Sequence, residues 1–198
     1  MNRIANPGRP RSFDETEALD AAMRAFWAHG FAGTSYEILE EATGLRRQSL
    51  RYAFGDKRAL FEKALNHYGA LRVGEIVEAL DGDGSPLGNV KTVFDLWIED
   101  AKAGPEQGCL MVNTSGELGR HDEIAAKAIT SATRRLTTAF ERAFRRAQDV
   151  GELSARHSAA DLARLAVAAG DGALLHARVS GSQASAARAF RGFLSLVS

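Results

Sequence analysis

The 198-residue chain has a single cysteine, Cys109, and only four prolines. One thiol excludes an internal disulfide framework and fits a reducing compartment, while leaving open a bond between two copies. No Cys/His cluster has metal-ligand spacing, so no metal is expected, and nothing in the sequence calls for a cofactor. Net charge is missing as well. The 25 basic side chains meet 25 acidic ones, so affinity for nucleic acid has to come from local clustering. No apolar run approaches a membrane span, and no apolar stretch follows the N-terminal arginines as an export signal would require; the expectation is a cytoplasmic protein with no membrane partner. Alternating β-branched runs, internal repeats and low-complexity tracts are absent, which argues against sheets and solenoids. There is no nucleophile elbow, phosphate loop, metal-binding His-Glu pair or dinucleotide fingerprint. His121, Asp122 and Cys109 form no catalytic pattern by themselves, so the chain is not read as an enzyme.

What remains is an ordinary globular composition, 45% apolar and 25% charged, patterned throughout at helical spacing. The expected fold is all-α with about nine helices. Residues 1–11, with Arg9, Arg11 and two prolines, read as a flexible basic arm. Ser12 and Glu15 have capping-box spacing, and Leu19, Ala22, Met23 and Phe26 follow at helical intervals until Gly30. Thr34 and Glu37 repeat the box for a short helix ending at Gly44. A third helix has Leu50 and Phe54 on its inner face and breaks at Gly55. Asp56 caps a fourth, through Leu60, Phe61, Ala64, Leu65 and Tyr68. The loop Asp81-Gly82-Asp83-Gly84-Ser85-Pro86 closes that unit. Beyond it come a stripe through Val90, Val93, Phe94, Trp97 and Ile98, a short segment from Cys109 to Leu118, and a long helix from about His121 to Val150. Two last helices follow, the first opened by Ser158 and Asp161.

Two short helices joined by a tight glycine turn, the second exposing Arg, Gln, Ser and Tyr, have the layout of a helix-turn-helix DNA reader. In the major groove arginine grips guanine and glutamine grips adenine, each in a bidentate pair. Arg46, Arg47, Arg51, Lys57 and Arg58 stand against Asp56 alone, which gives a neutral chain one basic face. Thr34 and Ser35 at a helix start offer hydroxyls and amides to phosphate, as do the amides at Asp56-Lys57, and Arg11 on the arm has the reach to touch an adjacent groove.

The runs Gly33-Thr34-Ser35, Glu41-Ala42-Thr43-Gly44-Leu45, Arg47-Gln48-Ser49-Leu50 and Phe54-Gly55-Asp56-Lys57-Arg58-Ala59-Leu60-Phe61 resemble the N-terminal domain of tetracycline-repressor (TetR) family regulators. The resemblance covers the first third of the chain. It implies a three-helix DNA-binding domain at 12–55 and a helical effector-binding and dimerisation domain at 56–198. It further implies a homodimer on a near-palindromic double-stranded DNA operator, released by an unknown small-molecule effector. Mapped onto this chain, it makes Thr34, Arg47, Ser49, Tyr52 and Lys57 DNA contacts. The sequence departs from the family pattern at Arg46, where a serine-like cap is usual, and at Arg51 and Ala53, where aromatics are common. Glu40 stands where a small residue is frequent.

For the body, Phe94, Trp97, Cys109, Met111 and Asn113 are the candidate effector-binding residues. Ala169, Ala173, Phe190, Phe193 and Leu194 on the last two helices are the candidate dimer interface, because neighbouring small residues permit close approach. The segment Gly108-Cys109-Leu110-Met111-Val112-Asn113 resembles one found in TetR subfamilies, some of which sense oxidants or electrophiles through a thiol. That reading stays open as an alternative, as does a protein-interaction module without DNA binding.

Overall fold

The computed structural model describes residues 13–103 and 108–197, apart from the side chains of Lys102, Ala103 and Arg120. Among these residues the regular structure is entirely helical. The elements are α1 (Glu15–Gly33), α2 (Tyr36–Thr43), α3 (Arg47–Phe54), α4 (Lys57–Asp81), α5 (Pro86–Ala103), α6 (Leu110–Glu117), α7 (Glu123–Asp149), α8 (Ala159–Ser180) and α9 (Gln183–Val197), with a 3-10 turn at Gly119–His121.

Two helix starts lie one or two residues from the expected caps. Asp14, not Ser12, caps α1, its carboxylate accepting from the amides of Thr16 and Glu17; Ser12 itself lies outside the described residues. Ser35, not Thr34, caps α2 by accepting from Ile38. Asp56 caps α4 as expected, and Asp122 and Ser158 do the same for α7 and α8. Each satisfies amides that the first turn of a helix leaves without a partner. Gly30 does interrupt α1: its backbone, at φ 72° and ψ 174°, makes a kink before one last turn through Gly33.

Two apolar clusters fill the interior. The first joins α1, α2, α3 and the first half of α4 around Phe26, Leu39, Leu50, Phe54 and Phe61, and draws in Leu110 and Met111 of α6 and Ala125 and Ala132 of α7. Packing therefore carries α4 across the boundary drawn at Gly55. The second holds the body together. Phe94 of α5 stacks on Phe190 of α9 at 5.0 Å and meets Phe193 edge-on at 5.2 Å, with Trp97, Phe140 and Phe144 around them.

That aromatic cluster corrects two expectations. Phe190 and Phe193 are buried inside the chain's own core, because their α9 face is the one turned toward α5 and α8, so neither is available to a second copy. Ala173 is buried with them, and Ala169 and Leu194 are half-buried against the same cluster. The outward faces of α8 and α9 instead expose Leu165, Leu175, Val179 and Leu196. Phe94 is likewise fully enclosed in this core.

Candidate DNA-reading head and effector cavity

The turn between α2 and α3 is built by Gly44, which adopts the left-handed conformation at φ 68° and donates its amide to the carbonyl of Glu40. A residue with a Cβ is strained there. Thr43 tightens the turn, its hydroxyl donating to the carbonyl of Leu39 at 2.6 Å and accepting from the amide of Leu45. Leu50 and Phe54 bury the inner face of α3, which leaves Arg46, Arg47, Gln48, Ser49, Arg51 and Tyr52 exposed. Tyr52 is 81% exposed, far more than packing would leave it.

Two neighbours that the sequence did not single out as site residues organise this face. The amide of Arg47 donates to the carboxylate of Glu40, so α2 supplies the cap that Arg46 cannot give. The bulk that looked out of place at Glu40 is what reaches across the turn. The guanidinium of Arg47 lies over the ring of Tyr36, 4.3 Å from its centroid, a cation–π contact that narrows its rotamers. Glu37 beside it is held below the ordinary carboxylate range, first by its hydrogen bond with Ser35, then by its own backbone amide, with Arg47 adding to the effect.

Two expected DNA contacts, Thr34 and Lys57, are placed differently. Thr34 is fully buried, its hydroxyl donating to the carbonyl of Gly30 at 2.6 Å, so it braces the kink of α1 and cannot touch a phosphate. Lys57 is half-buried; its ammonium donates to the carbonyl of Thr34 at 2.8 Å and lies over Phe31. It locks α4 onto the end of α1. Arg11 lies outside the described residues.

Beside the shared apolar cluster, two polar contacts link the N-terminal helices to α6 and to the start of α7. Glu117, the last residue of α6, accepts from the amides of Phe31 and Ala32 just past the kink, at 2.9 and 2.6 Å. Arg58 in the first turn of α4 pairs with Asp122. Burial works against the Asp122 carboxylate, but the amide of Ala125 and Arg58 outweigh it and leave its pKa below the usual value.

A cavity of about 50 Å³ sits between α4, α5, α6, α7 and α8, lined by Tyr68, Arg72, Val73, Ile76, Trp97, Asp100, Cys109, Met111, Thr133, Leu136 and Leu174 among others. Of the candidate effector-binding residues, Trp97, Cys109 and Met111 are among the lining residues. Asn113 is not among the lining residues, while Tyr68, Arg72 and Asp100 were missed. Tyr68 follows Leu65 at helical spacing and reads as plain core; Arg72 and Asp100 lie 28 positions apart, and only the fold pairs them. The hydroxyl of Tyr68 donates to Cys109 Sγ at 3.5 Å. Burial pushes the Cys109 thiol above its ordinary range, although Tyr68 and the amide of Val112 pull the other way. Burial thus runs against the activation that a helix N-terminus gives a thiol.

Comparison with known proteins agrees with this architecture. The family description "Bacterial regulatory proteins, tetR family" matches residues 18–64, and "Tetracyclin repressor-like, C-terminal domain" matches residues 86–193. The HTH-type transcriptional regulator YezE of Bacillus subtilis (strain 168) is 32% identical over 149 residues, 74% of this chain and 76% of YezE. The HTH-type transcriptional repressor ComR of Escherichia coli (strain K12) is 46% identical over 61 residues, which is 31% of this chain and 29% of ComR. Among solved structures, a cysteine mutant of the TetR family transcriptional regulator CifR, complexed with a 26-bp double-strand operator DNA, superposes with a TM-score of 0.82 at 28% identity over 96% of this chain and 100% of that one. With both halves matched and a helix-turn-helix in place, the chain belongs to the TetR family of bacterial transcriptional regulators.

Proposed function

We propose that the chain is a homodimeric repressor that binds a near-palindromic operator through α3 and releases it when a small molecule occupies the cavity behind α6. The observation that carries this reading is the outward face of α3, where Arg46, Arg47, Gln48, Ser49, Arg51 and Tyr52 stand exposed on a helix whose other face is locked by Leu50 and Phe54. Those side-chain types match the donor and acceptor pattern of base edges and phosphates. The operator complex of CifR, similar over nearly the whole chain, supports the same role. Ser35 at the start of α2 is the phosphate contact in place of Thr34.

Dimerisation through α8 and α9 is supported by the exposed apolar residues there. Leu165, Leu175 and Val179 recur along one face of α8, and Leu196 extends the surface on α9. An exposed apolar patch of this kind suits a two-fold pair, which in turn sets the spacing of two reading heads. Trp97, Cys109 and Met111 are proposed to meet the effector together with Tyr68 and Arg72. The described residues contain no helix long and apolar enough to cross a membrane, and the cytoplasm, where bacterial DNA lies, is the proposed location.

The test is selection of bound DNA from a random duplex library with purified protein. A near-palindrome whose enrichment is lost on Arg47→Ala or Arg51→Ala supports the reading. No enrichment at low salt, where phosphate attraction is strongest, overturns it.

A further inference from the structure

The tie between Glu117 and α1 is unlike the other contacts between head and body. Gly30 leaves the helical conformation, and the amides of Phe31 and Ala32 beyond it lose the intrahelical acceptors that an unbroken α1 would provide. Both point into one carboxylate from a different element, 85 and 86 positions away. The fit is close. A Cβ on Gly30 would lie 2.7 Å from Glu117 Oε2 and would push the carboxylate from its place, and the φ of 72° independently favours glycine.

The other end of α6 is the cavity wall. Cys109 stands at the N-cap position, without a capping bond from its side chain, and Met111 sits in the first turn, both lining the cavity. At about 1.5 Å per residue, the six residues from Met111 to Glu117 separate cavity and clamp by roughly 9 Å along one rigid rod. Met111 also bears on α4: its methyl carbon is 3.2 Å from where a Cβ on Gly69 would stand, leaving α6 little room to move toward α4. Past the clamp, Phe31 packs on Phe61 at 4.9 Å, Thr34 holds Gly30, and Ser35 begins α2.

We propose that Glu117 is the positioning residue through which the state of the cavity reaches the reading head: a displaced α6 carries the carboxylate away from Phe31 and Ala32, and the last turn of α1 moves with it, re-aiming α2 and α3. This rests on the DNA-binding reading above and adds the route. The carboxylate touches no DNA and no effector; it acts through the α1 kink.

A double-mutant cycle on operator affinity tests it, using the full-length protein and a duplex recovered by the selection. Met111→Trp overfills the cavity from α6 itself. It should weaken operator binding about tenfold with Glu117 present and less than twofold in the Glu117→Ala background, with Glu117→Gln, which keeps one acceptor, in between. Circular dichroism checks that each variant is folded. Should Met111→Trp fail to fold, Cys109→Met, a milder enlargement at the same end of α6, replaces it as the cavity-filling change, with the same expected pattern. Equal fold-changes with and without Glu117 overturn the proposal, and so does a filled cavity that leaves operator affinity unchanged. If the wild-type chain binds no duplex at all, the regulator reading itself fails and takes this route with it; binding without coupling removes the route alone.

Discussion

The indole of Trp97 lies against Gly170 so closely that a Cβ on the glycine would sit 2.5 Å from its Cζ3. Helix propensity alone favours alanine over glycine in the middle of α8 by about 1 kcal/mol. Contact with a packed ring reverses the sign. Gly170→Ala should lower stability by about 1–3 kcal/mol, since Trp97 is 6% exposed and enclosed by Phe94, Phe140 and Phe190. Urea unfolding monitored by circular dichroism measures this; a variant more stable than wild type would contradict the close approach.

Arg51 and Thr34 should separate into different kinds of defect. Arg51→Ala removes an exposed cation from the reading face and should weaken operator binding by about 1–3 kcal/mol with thermal stability unchanged. Thr34→Val removes a buried hydroxyl from the carbonyl of Gly30 and should cost about 1–2 kcal/mol of stability. Operator titrations beside thermal melts distinguish the two, and a stable Thr34→Val protein with weak DNA binding would restore Thr34 as a contact.

Phe190 and Val179 offer a similar contrast in the body. Phe190→Ala empties a site stacked on Phe94 and should cost about 3–5 kcal/mol of stability. Val179 is 79% exposed, so Val179→Glu should leave the helical content intact and shift the protein toward monomer if α8 forms the proposed interface. Analytical ultracentrifugation reads the result, and a dimer of undiminished affinity would move the interface elsewhere.

Asp171 gives a pH dependence with a defined sign. Its carboxyl is pushed up to about 6 by burial, although the residue as a whole stands on the open side of α8. The protonated form is therefore favoured more in the folded chain than in the unfolded one, and folding loses stability as pH rises from about 4 to 6. A fully enclosed carboxyl shifted this far would account for about 3 kcal/mol; with more than a third of the residue open to water, about 1 kcal/mol or less is expected. Asp171→Asn should melt higher than wild type at pH 7 and equal to it near pH 4. A gap that widens on acidification would mean the carboxylate is stabilised, not penalised.

Much of the fold is written in local chemistry. Gly30, Gly44 and Gly55 punctuate the head where the backbone needs them, and Asp56, Asp122 and Ser158 cap their helices through their own side chains. What escaped the sequence is everything that depends on which face meets which. Phe190 and Phe193 have the same spacing whether they meet α5 or a second chain. Thr34 and Ser35 are adjacent hydroxyls at a helix start, and one residue of offset decides which caps and which is buried. Glu40 and Glu117 do their work across a turn or between elements, where periodicity carries no information.

The small cavity behind α6 has a thermodynamic consequence for recognition. At about 50 Å³ it has room for one or two waters, whereas a site for a drug-sized ligand is roughly 300–1,000 Å³. A molecule of that size cannot dock into the resting form; it has to capture a rarer, opened conformer. Its apparent affinity is then its intrinsic affinity scaled by the open fraction, so an opening populated at roughly 1% turns a 10 nM intrinsic constant into about 1 µM. On the proposed reading, substitutions that loosen the wall between Trp97 and Met111 raise sensitivity to every large effector together, with no new contact to any of them.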